Sequence, residues 1–272
     1  MNKKKVLFVA TVPGHINAFH LPFLKSFKEK GYEVHVASNR NDDIAYCDKR
    51  IIIPISRAPY KITNLKAIKE LKKIIDKENY EIIHCHTPMG GVVARIAAKK
   101  ARKKGTKIIY TAHGFHFYKG APLKNWLFFY PIEKILSKHT DILITINQED
   151  YNLALKKFKK ANVKYVPGVG INPEKFNIQL DEKEKNKLKK DLGLQKDDYI
   201  MIYTARLDKN KNQIFLINAM EELTKTNKNI HLLLVGGDEL NGYYQNIAKE
   251  KKLDKNIHFL GFRNDIPKLL KI

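Results

Sequence analysis

Short apolar runs rich in valine and isoleucine alternate with helical patterns along this chain, and this alternation limits its possible folds more than any other feature. In the first 170 residues the apolar runs lie at 5–10, 33–38, 50–55, 81–86, 107–112 and 141–146. Helical patterns lie between and after them, at about 17–30, 64–78, 89–104, 122–138 and 148–159. Continuous apolar runs are typical of parallel strands that are buried on both faces. The alternation therefore predicts βαβ units and a doubly wound parallel sheet.

The alternation stops near residue 163 and begins again near residue 198. The interruption is rich in proline and glycine at 163–176 and very polar at 177–198, with one helical pattern near 181–192. Beyond it, strands are predicted at 198–205, 230–237 and 256–261, and helices at about 211–226, at about 241–252 and from Asp265. We predict a first domain at 1–170, a linker at 171–197 and a second domain at 198–272. Doubly wound domains usually have about five or six strands, so we expect the second domain to be incomplete.

Composition is that of a soluble protein with a sizeable core. Of the 272 residues, 43% are hydrophobic, and the 2 cysteines, Cys47 and Cys85, form no metal-type CxxC pair. This cysteine content fits a reducing compartment and argues against a disulfide framework. The first apolar run is too short for a signal peptide, and no stretch approaches the ~18 apolar residues of a spanning helix. We therefore expect a cytoplasmic protein.

The formal charge of +23, from 51 basic and 28 acidic residues, favours anionic partners. The lysines are spread over several predicted helices and accompany no nucleic-acid-binding motif, so we expect no nucleic-acid partner. A lysine-rich solvent surface and a contact with anionic lipid both remain open. The segment 123–136, LKNWLFFYPIEKIL, combines aromatic residues with Lys124 and is a candidate for that membrane contact. A helix that covers the sheet is the favoured interpretation of the same segment.

Several motifs that would identify other enzyme classes are absent. There is no GxGxxG dinucleotide-binding pattern, no Walker A motif and no GxSxG nucleophile motif. The HExxH pattern of metalloproteases is also missing, as is any Asp-x-Asp pair that could hold a metal on a nucleotide diphosphate. Nicotinamide and flavin enzymes, phosphate-loop ATPases and α/β-hydrolases therefore have no direct support.

Histidines gather near the predicted strand ends. They are His15, His20, His84, His86, His113 and His116. Because side chains alternate along a strand, His84 and His86 should share one face of the sheet and Cys85 should lie on the other. Ligands bind at the carboxyl ends of strands in open α/β sheets, so a metal centre is a possible interpretation. We nevertheless expect no metal, because zinc and iron sites usually include carboxylates or thiolates as well.

Two turns of the second domain carry groups suited to phosphate. Arg206 and Lys211 lie in the turn TARLDKNKNQ, and Gly236 and Gly237 follow the next strand. Arginine can contact phosphate as a fork, lysine adds a point charge, and glycines let the backbone approach a ligand. A nucleotide diphosphate would fit these groups. On spacing alone, a solvated basic loop and a plain glycine turn remain equally good interpretations. Gly14 lies in the first strand-to-helix turn of the chain. It could likewise let the backbone approach a ligand, or it could simply form a tight turn.

Taken together, these motifs resemble a known family. The two α/β halves, the HxH and TAHG loops, ARLxxxK and VGG resemble the retaining glycosyltransferases of family 4, which have the GT-B fold. The stretches YEIIHCHTPMGG, TAHGFHFYKGAPLKNW, ITINQEDY and YVPGVGI are similar to the exopolysaccharide and capsule branch of that family, of the EpsD type. The resemblance covers essentially all 272 residues. It implies an α/β protein with two Rossmann-like doubly wound domains, the second of them incomplete.

The resemblance also implies an activity and roles for particular residues. It implies transfer of a hexosyl or N-acetylhexosaminyl group from a nucleotide-sugar, of the UDP type, to a lipid-linked or saccharide acceptor. The catalytic residues would be His113, Arg206 and Lys211; Gly14, Arg206, Lys211, Gly236 and Gly237 would bind the donor; His86, His116, Phe117 and Tyr118 would lie on the acceptor side. Stabilising charge on the leaving diphosphate needs neither a carboxylate pair nor a metal, so no cofactor is expected. Such an enzyme would work peripherally at the inner face of the plasma membrane.

Two departures from the family pattern lead to further expectations. Asn212 stands where the family usually has glycine, which should alter the loop modestly. The family's Glu-x7-Glu motif would lie beyond residue 272, so we expect residues 1–272 alone to be inactive or weakly active. Two other functions stay open: a nucleotide-sugar 2-epimerase, which would need acidic catalytic residues, and a truncated paralogue that binds nucleotide or partner without turnover.

Overall fold

A computed structural model describes residues 3–272, and the chain divides after Gly170 into two compact units. The strands of the first unit are β1 (Lys5–Val9), β2 (Glu33–Ser38), β3 (Lys49–Ile52), β4 (Ile82–His86), β5 (Lys107–Ala112), β6 (Ile142–Thr145) and β7 (Asn162–Tyr165). Its helices are α1 (Pro13–Phe19), α2 (Leu21–Glu29), α3 (Thr63–Glu78), α4 (Pro88–Ala97), α5 (Lys99–Lys103), α6 (Leu123–Ser137) and α7 (Gln148–Lys157).

These seven strands form one parallel sheet in the order β3-β2-β1-β4-β5-β6-β7. The predicted doubly wound sheet is thus confirmed. The strand order reverses between β1 and β4, and in open α/β sheets the loops at such a switch point form the ligand-binding crevice. The loops that follow β1, β4 and β5 are therefore the part of this unit to examine for function.

Strand β1 contributes side chains to the apolar layers on both faces of the sheet. Leu7 and Val9 belong to the larger apolar cluster, on the face covered by α3 and α4, whereas Val6 and Phe8 belong to the smaller one, with Leu24 of α2. All of them are fully buried. Because alternate residues of a strand point to opposite faces, a continuous apolar run is needed to fill both layers.

Two details of the first unit differ from the sequence expectations. The helix expected at 17–30 begins earlier and is two helices, α1 and α2, joined at His20. Pro22 in the first turn of α2 has no backbone N–H to continue the hydrogen bonds of α1. Strand β7 was not predicted from the sequence; it is a four-residue edge strand with mostly exposed residues, so its apolar pattern is weak.

The second unit has three strands and five α-helices. The strands are β8 (Tyr199–Thr204), β9 (Ile230–Val235) and β10 (Ile257–Gly261), and the helices are α8 (Pro173–Phe176), α9 (Glu182–Asp191), α10 (Gln213–Thr226), α11 (Tyr243–Glu250) and α12 (Ile266–Leu269). The strands form a parallel sheet in the order β10-β9-β8. The segment predicted as a linker, 171–197, is grouped with this unit. Its Leu194 is buried in one cluster with Leu233 and Val235 of β9, so the end of this segment packs on the sheet.

Within residues 3–272, none of the helices combines the length and the apolar character needed to cross a membrane.

Candidate functional site

The switch point of the first sheet is closed by hydrogen bonds between the loops that follow β1 and β4. The hydroxyl oxygens of Thr11 and Thr87 lie 2.8 Å apart, and the Thr11 N–H donates to the Thr87 hydroxyl at 3.1 Å. Thr87 has φ +63° and ψ 151°, which is uncommon for a β-branched residue. Strained backbone of this kind is concentrated at functional sites, where the surrounding structure holds it in place.

Helix α4 approaches this switch point because two glycines, Gly90 and Gly91, lie in its first turn. A Cβ atom on Gly90 would lie 2.7 Å from the Thr87 hydroxyl oxygen, and one on Gly91 would lie 2.5 Å from the Tyr110 ring. Any larger residue would push α4 away from β1 and β5. The two glycines of HTPMGG therefore set the position of the helix beside the site.

A cavity of about 890 Å³ opens at this edge of the first unit. Its lining includes Gly14, His15, Arg40, Arg57, His116 and Phe117. The two arginines were missed by the sequence reasoning. They follow β2 and β3, and their only signal was a place after a strand of the same sheet. They give the cavity two cationic groups suited to a phosphate-bearing ligand.

Four histidines from three chain segments meet beside this cavity, and we call them the histidine cluster: His15, His20, His86 and His113. Each has one ring nitrogen that lies within 4.8 Å of those of the other three. The Nε2 atoms of His15 and His113 are 3.1 Å apart, and the rings of His20 and His86 stack with 3.7 Å between centroids. As the period-2 pattern predicts, His84 lies on the same side, with its ring 4.1 Å from that of His86, while Cys85 joins the opposite layer.

Burial keeps these imidazoles neutral at physiological pH. Desolvation, with smaller contributions from His113 and Arg57, lowers the pKa of His15 to about 4. Burial likewise lowers the pKa of His20 to about 3, lowers that of His113, and holds that of His86 well below its usual value. A neutral imidazole offers one donor and one acceptor nitrogen. The cluster can thus hydrogen-bond a ligand or ligate a metal without first losing protons.

The loop that follows β5 alternates between buried and exposed residues. Phe115 and Phe117 are buried with their rings stacked at 4.8 Å, whereas His116 and Tyr118 are exposed. The Phe115 N–H donates to the Asp150 carboxylate at 2.9 Å, and burial raises the pKa of Asp150. The loop is therefore anchored to the start of α7, with His116 presented to the cavity.

The predicted acceptor-side residues accordingly occupy different environments. His116 and Phe117 line the cavity, although Phe117 has no exposed surface. Tyr118 is 46% exposed, and His86 is fully buried within the histidine cluster. Since His86 has no free surface, any effect of this residue on an acceptor passes through its neighbours. Gly14 is exposed, lines the same cavity and would meet no atom if it carried a Cβ.

In the second unit, Arg206 and Lys211 lie in the turn between β8 and α10. The Arg206 guanidinium forms ion pairs with Asp208 and Glu239, both at 3.1 Å, and its side chain remains 57% exposed. The Lys211 N–H donates to the Asp208 carboxylate at 3.0 Å, which fixes the backbone of the turn. Arg206 is thus held in one orientation with much of its surface still available to a ligand.

The backbone conformation at Asn212 explains why the family usually has glycine at this position. Its backbone is left-handed, with φ +53° and ψ 41°, immediately before α10 begins at Gln213. Glycine adopts this conformation most easily, and asparagine is one of the few other residues that tolerate it. The substitution therefore keeps the turn.

The two glycines of VGG have different surroundings. A Cβ on Gly236 would lie 2.0 Å from the Ala205 carbonyl oxygen and 2.9 Å from the Arg206 nitrogen, so Gly236 lets the two turns touch. A Cβ on Gly237 would meet nothing within 4 Å. The structure therefore brings Arg206, Lys211, Gly236 and Gly237 together in two adjoining turns.

Sequence comparison gives the same two-part organisation. Residues 5–147 match the family described as glycosyl transferase 4-like, and residues 184–272 match glycosyl transferases group 1. The chain is 45% identical over 271 residues to "Putative glycosyltransferase EpsD" of Bacillus subtilis, covering 99% of this chain and 71% of that protein. It is 28% identical over 216 residues to the Escherichia coli UDP-Gal:alpha-D-GlcNAc-diphosphoundecaprenol alpha-1,3-galactosyltransferase, covering 77% of this chain but 54% of the relative.

Structural comparison supports the same fold. The crystal structure of Anabaena HepE in complex with UDP and glucose superposes with a TM-score of 0.72 at 19% identity, covering 98% of this chain and 71% of HepE. At this identity the match concerns the fold alone. The predicted resemblance is confirmed: the chain belongs to the GT-B glycosyltransferases, with a 4-like domain followed by a group 1 domain.

Proposed function

We propose that this glycosyltransferase moves a sugar from a UDP-sugar to a lipid-linked acceptor during synthesis of a bacterial exopolysaccharide or capsule, at the inner face of the plasma membrane and with retention of anomeric configuration. The observation that carries the proposal is the pair of adjoining turns with Arg206, Lys211, Gly236 and Gly237. The relatives add support: EpsD at 45% identity, a galactosyltransferase whose name specifies UDP-Gal and a diphosphoundecaprenol acceptor, and a HepE structure that holds UDP.

The basic turn suits a leaving nucleoside diphosphate. Arg206 is oriented by two carboxylates and can present its remaining N–H groups as a fork. Among the described residues, Lys211 belongs to no ion pair, so its ammonium is available to an anion. Positive groups held in place before the reaction lower the barrier, since they need not reorganise as charge develops on the diphosphate.

The proposed step uses this charge directly. The acceptor hydroxyl oxygen bonds to the anomeric carbon on the face from which the diphosphate leaves. The bond between that carbon and the diphosphate oxygen breaks, and the hydroxyl proton passes to the departing diphosphate. The products are the glycosylated acceptor and the nucleoside diphosphate, so no separate carboxylate base is required. His113 is proposed to face the donor sugar as a neutral hydrogen-bonding group.

The cavity of the first unit is proposed to bind the acceptor. Arg40 and Arg57 could pair with the diphosphate of a polyprenyl-linked saccharide. His116 and Phe129 pack with 4.7 Å between ring centroids and both line the cavity, so they offer aromatic surface to a sugar ring. This combination of cationic and aromatic groups fits an acceptor that carries both phosphate and sugar.

Nucleotide binding tests the donor half of the proposal. We expect UDP to bind the chain, and alanine at Arg206 or Lys211 to weaken that binding about tenfold or more, because each removes a charge-assisted contact of about 1.5–3 kcal/mol. Isothermal titration with UDP measures the effect. Lys209→Ala, in the same turn, is the matched control and should change the affinity less than about twofold. Equal losses in all three variants, or no binding of UDP by the unmodified chain, would contradict the proposal.

Helix α6 offers a surface for the membrane that carries such an acceptor. One side packs on the core through Trp126, Phe129 and Tyr130. The other side exposes apolar residues interspersed with lysines: Leu123, Leu127, Phe128, Ile132, Ile135, Lys124 and Lys134, with Lys138 directly after the helix. The helix expected to cover the sheet therefore does so with one side and exposes an apolar and basic face on the other. Such a face can insert apolar side chains at the headgroup level while its lysines attract anionic lipid.

Vesicle sedimentation tests this face. We expect the chain to sediment with vesicles that contain anionic phospholipid and not with neutral ones. The double variant Leu127→Ser, Phe128→Ser should lose most of this binding, because both side chains are more than 60% exposed on α6. Phe215→Ser, which removes a similarly exposed aromatic side chain from α10, serves as the control. Equal binding of the α6 variant and the control would show that α6 does not form the membrane-binding surface.

A further inference from the structure

The histidine cluster has a property that sugar transfer does not require. His20 and His86 are 3% and 0% exposed, and neither ring nitrogen of either residue has a hydrogen-bond partner among the described residues. A buried polar atom without a partner loses its bonds to water and gains nothing in exchange. Folded proteins rarely leave such groups unpaired.

Another buried histidine of the same unit shows how this fold treats an imidazole that has only a structural role. His35 is also 0% exposed, yet both its nitrogens are satisfied. Its Nδ1 lies 2.7 Å from the Tyr80 hydroxyl and its Nε2 lies 2.7 Å from the Glu33 carboxylate. In the histidine cluster, by contrast, the Nε2 atoms of His15 and His113 hydrogen-bond each other at 3.1 Å, whereas His20 and His86 have no partner on either nitrogen.

We propose that His15, His20, His86 and His113 bind a divalent transition-metal ion of the Zn²⁺ type. Each offers one nitrogen, and the four atoms lie within 4.8 Å of one another. A tetrahedral zinc ion with Zn–N bonds of about 2.0–2.1 Å places its ligand nitrogens about 3.4 Å apart, so the widest pairs would close by about 1.4 Å. Imidazole ligands suit zinc, copper, nickel and iron, and do not suit magnesium or calcium.

The position of the four ligands in the fold supports such a site. His86 is on β4, His113 directly follows β5, His15 is on α1 and His20 joins α1 to α2, so all four belong to the elements around the switch point. His15 lines the cavity, and both His15 and His113 are half-buried, which gives an ion a route in from solvent. The sequence argument against a metal relied on missing carboxylates and thiolates. The structure meets the ligand requirement with four imidazoles instead.

Metal titration of the untagged chain tests the proposal. The chain is stripped with EDTA, exchanged into metal-free buffer, and titrated with Zn²⁺ against a chromophoric chelator. Co²⁺ is added in parallel, because a tetrahedral cobalt site gives intense visible bands. His15→Asn and His113→Asn are the test variants, since both positions are half-buried and tolerate a polar residue better than His20 or His86. Circular dichroism verifies that each variant is folded.

Two control variants separate this site from other histidines. His116→Asn removes an exposed imidazole from the same cavity. His231→Asn breaks a second histidine pair, in which His231 Nδ1 lies 3.0 Å from His258 Nε2. We expect one equivalent of Zn²⁺ and a tetrahedral Co²⁺ spectrum for the unmodified chain and for both controls. Either test variant should bind at least tenfold more weakly, and Zn²⁺ should no longer raise its unfolding temperature.

The opposite results would overturn the proposal. These are no zinc binding by the unmodified chain, unchanged affinity in the folded His15→Asn and His113→Asn variants, or loss of the site in His231→Asn. Because every readout is metal binding, spectrum or thermal stability, a failure here would leave the proposed sugar transfer untouched. A failure of UDP to bind would likewise leave the metal site standing.

Discussion

Replacing Arg95 with methionine is expected to lower the free energy of unfolding by about 3–5 kcal/mol, the usual cost of breaking a buried ion pair from one side. Arg95 is 1% exposed, and its guanidinium donates to both Glu133 carboxylate oxygens, at 2.9 and 3.0 Å. Its Nε also donates to the Gly91 carbonyl oxygen at 2.9 Å. Methionine would leave the Glu133 carboxylate buried without its cation.

Urea unfolding measures this loss and can separate pairing from packing. The double variant Arg95→Met, Glu133→Leu should recover much of the stability, because it removes both charges and keeps apolar volume. Lys72→Ala, which breaks an exposed pair with Asp76, should cost less than about 0.5 kcal/mol. A double variant as unstable as Arg95→Met would show that the arginine acts through its packing on the Tyr110 ring, 3.9 Å away, and not through its charge.

The variant Phe117→Ala is expected to cost about 3–5 kcal/mol, the range for truncating a buried phenylalanine. Phe117 has no exposed surface, and its ring packs against Phe115, Trp126, Tyr130 and Phe158. Truncation would leave a cavity under the loop that presents His116, so this loop should loosen as stability falls.

The neighbouring residue provides the matched control for this prediction. Tyr118 is 46% exposed, so Tyr118→Ala should change stability by no more than about 0.5 kcal/mol. Thermal and urea unfolding of the two variants should therefore differ clearly although they are adjacent in sequence. Similar small losses at both positions would contradict the burial of Phe117 and would make it a surface residue available to an acceptor.

The fold class could be predicted because each signal is local. The apolar run of β1 fills two layers, and the alternation of HCH along β4 sends His84 and His86 to one side and Cys85 to the other. The short edge strand β7 could not be predicted, since mostly exposed residues at a sheet edge need no apolar run. The break between α1 and α2 has a local cause, Pro22. It was missed because a proline is compatible with the first turn of a helix, so Pro22 did not by itself indicate that a new helix begins there.

The candidate site was less accessible from sequence, since it depends on which loops meet. Strand order places the ends of β1, β4 and β5 side by side, and no spacing in the sequence states that order. The histidines of those loops could be named individually, but their convergence could not. Arg40 and Arg57 were missed for the same reason: each follows a strand, but the sequence does not state which of these loops meet. From the sequence alone, Gly236 and Gly237 have the same interpretation. In the structure, only Gly236 lies against the Ala205 carbonyl, where a side chain would not fit.

Sugar transfer itself is the most direct test of this account. The protein would be incubated with UDP-sugars labelled in the sugar and with a polyprenyl-diphosphate-linked saccharide in anionic vesicles. We predict that label from one UDP-sugar enters the lipid phase with retained anomeric configuration, and that replacing Arg206 and Lys211 with alanine abolishes this transfer. Label that remains water-soluble as an epimerised nucleotide-sugar, or lipid labelling that does not depend on Arg206 and Lys211, would contradict it.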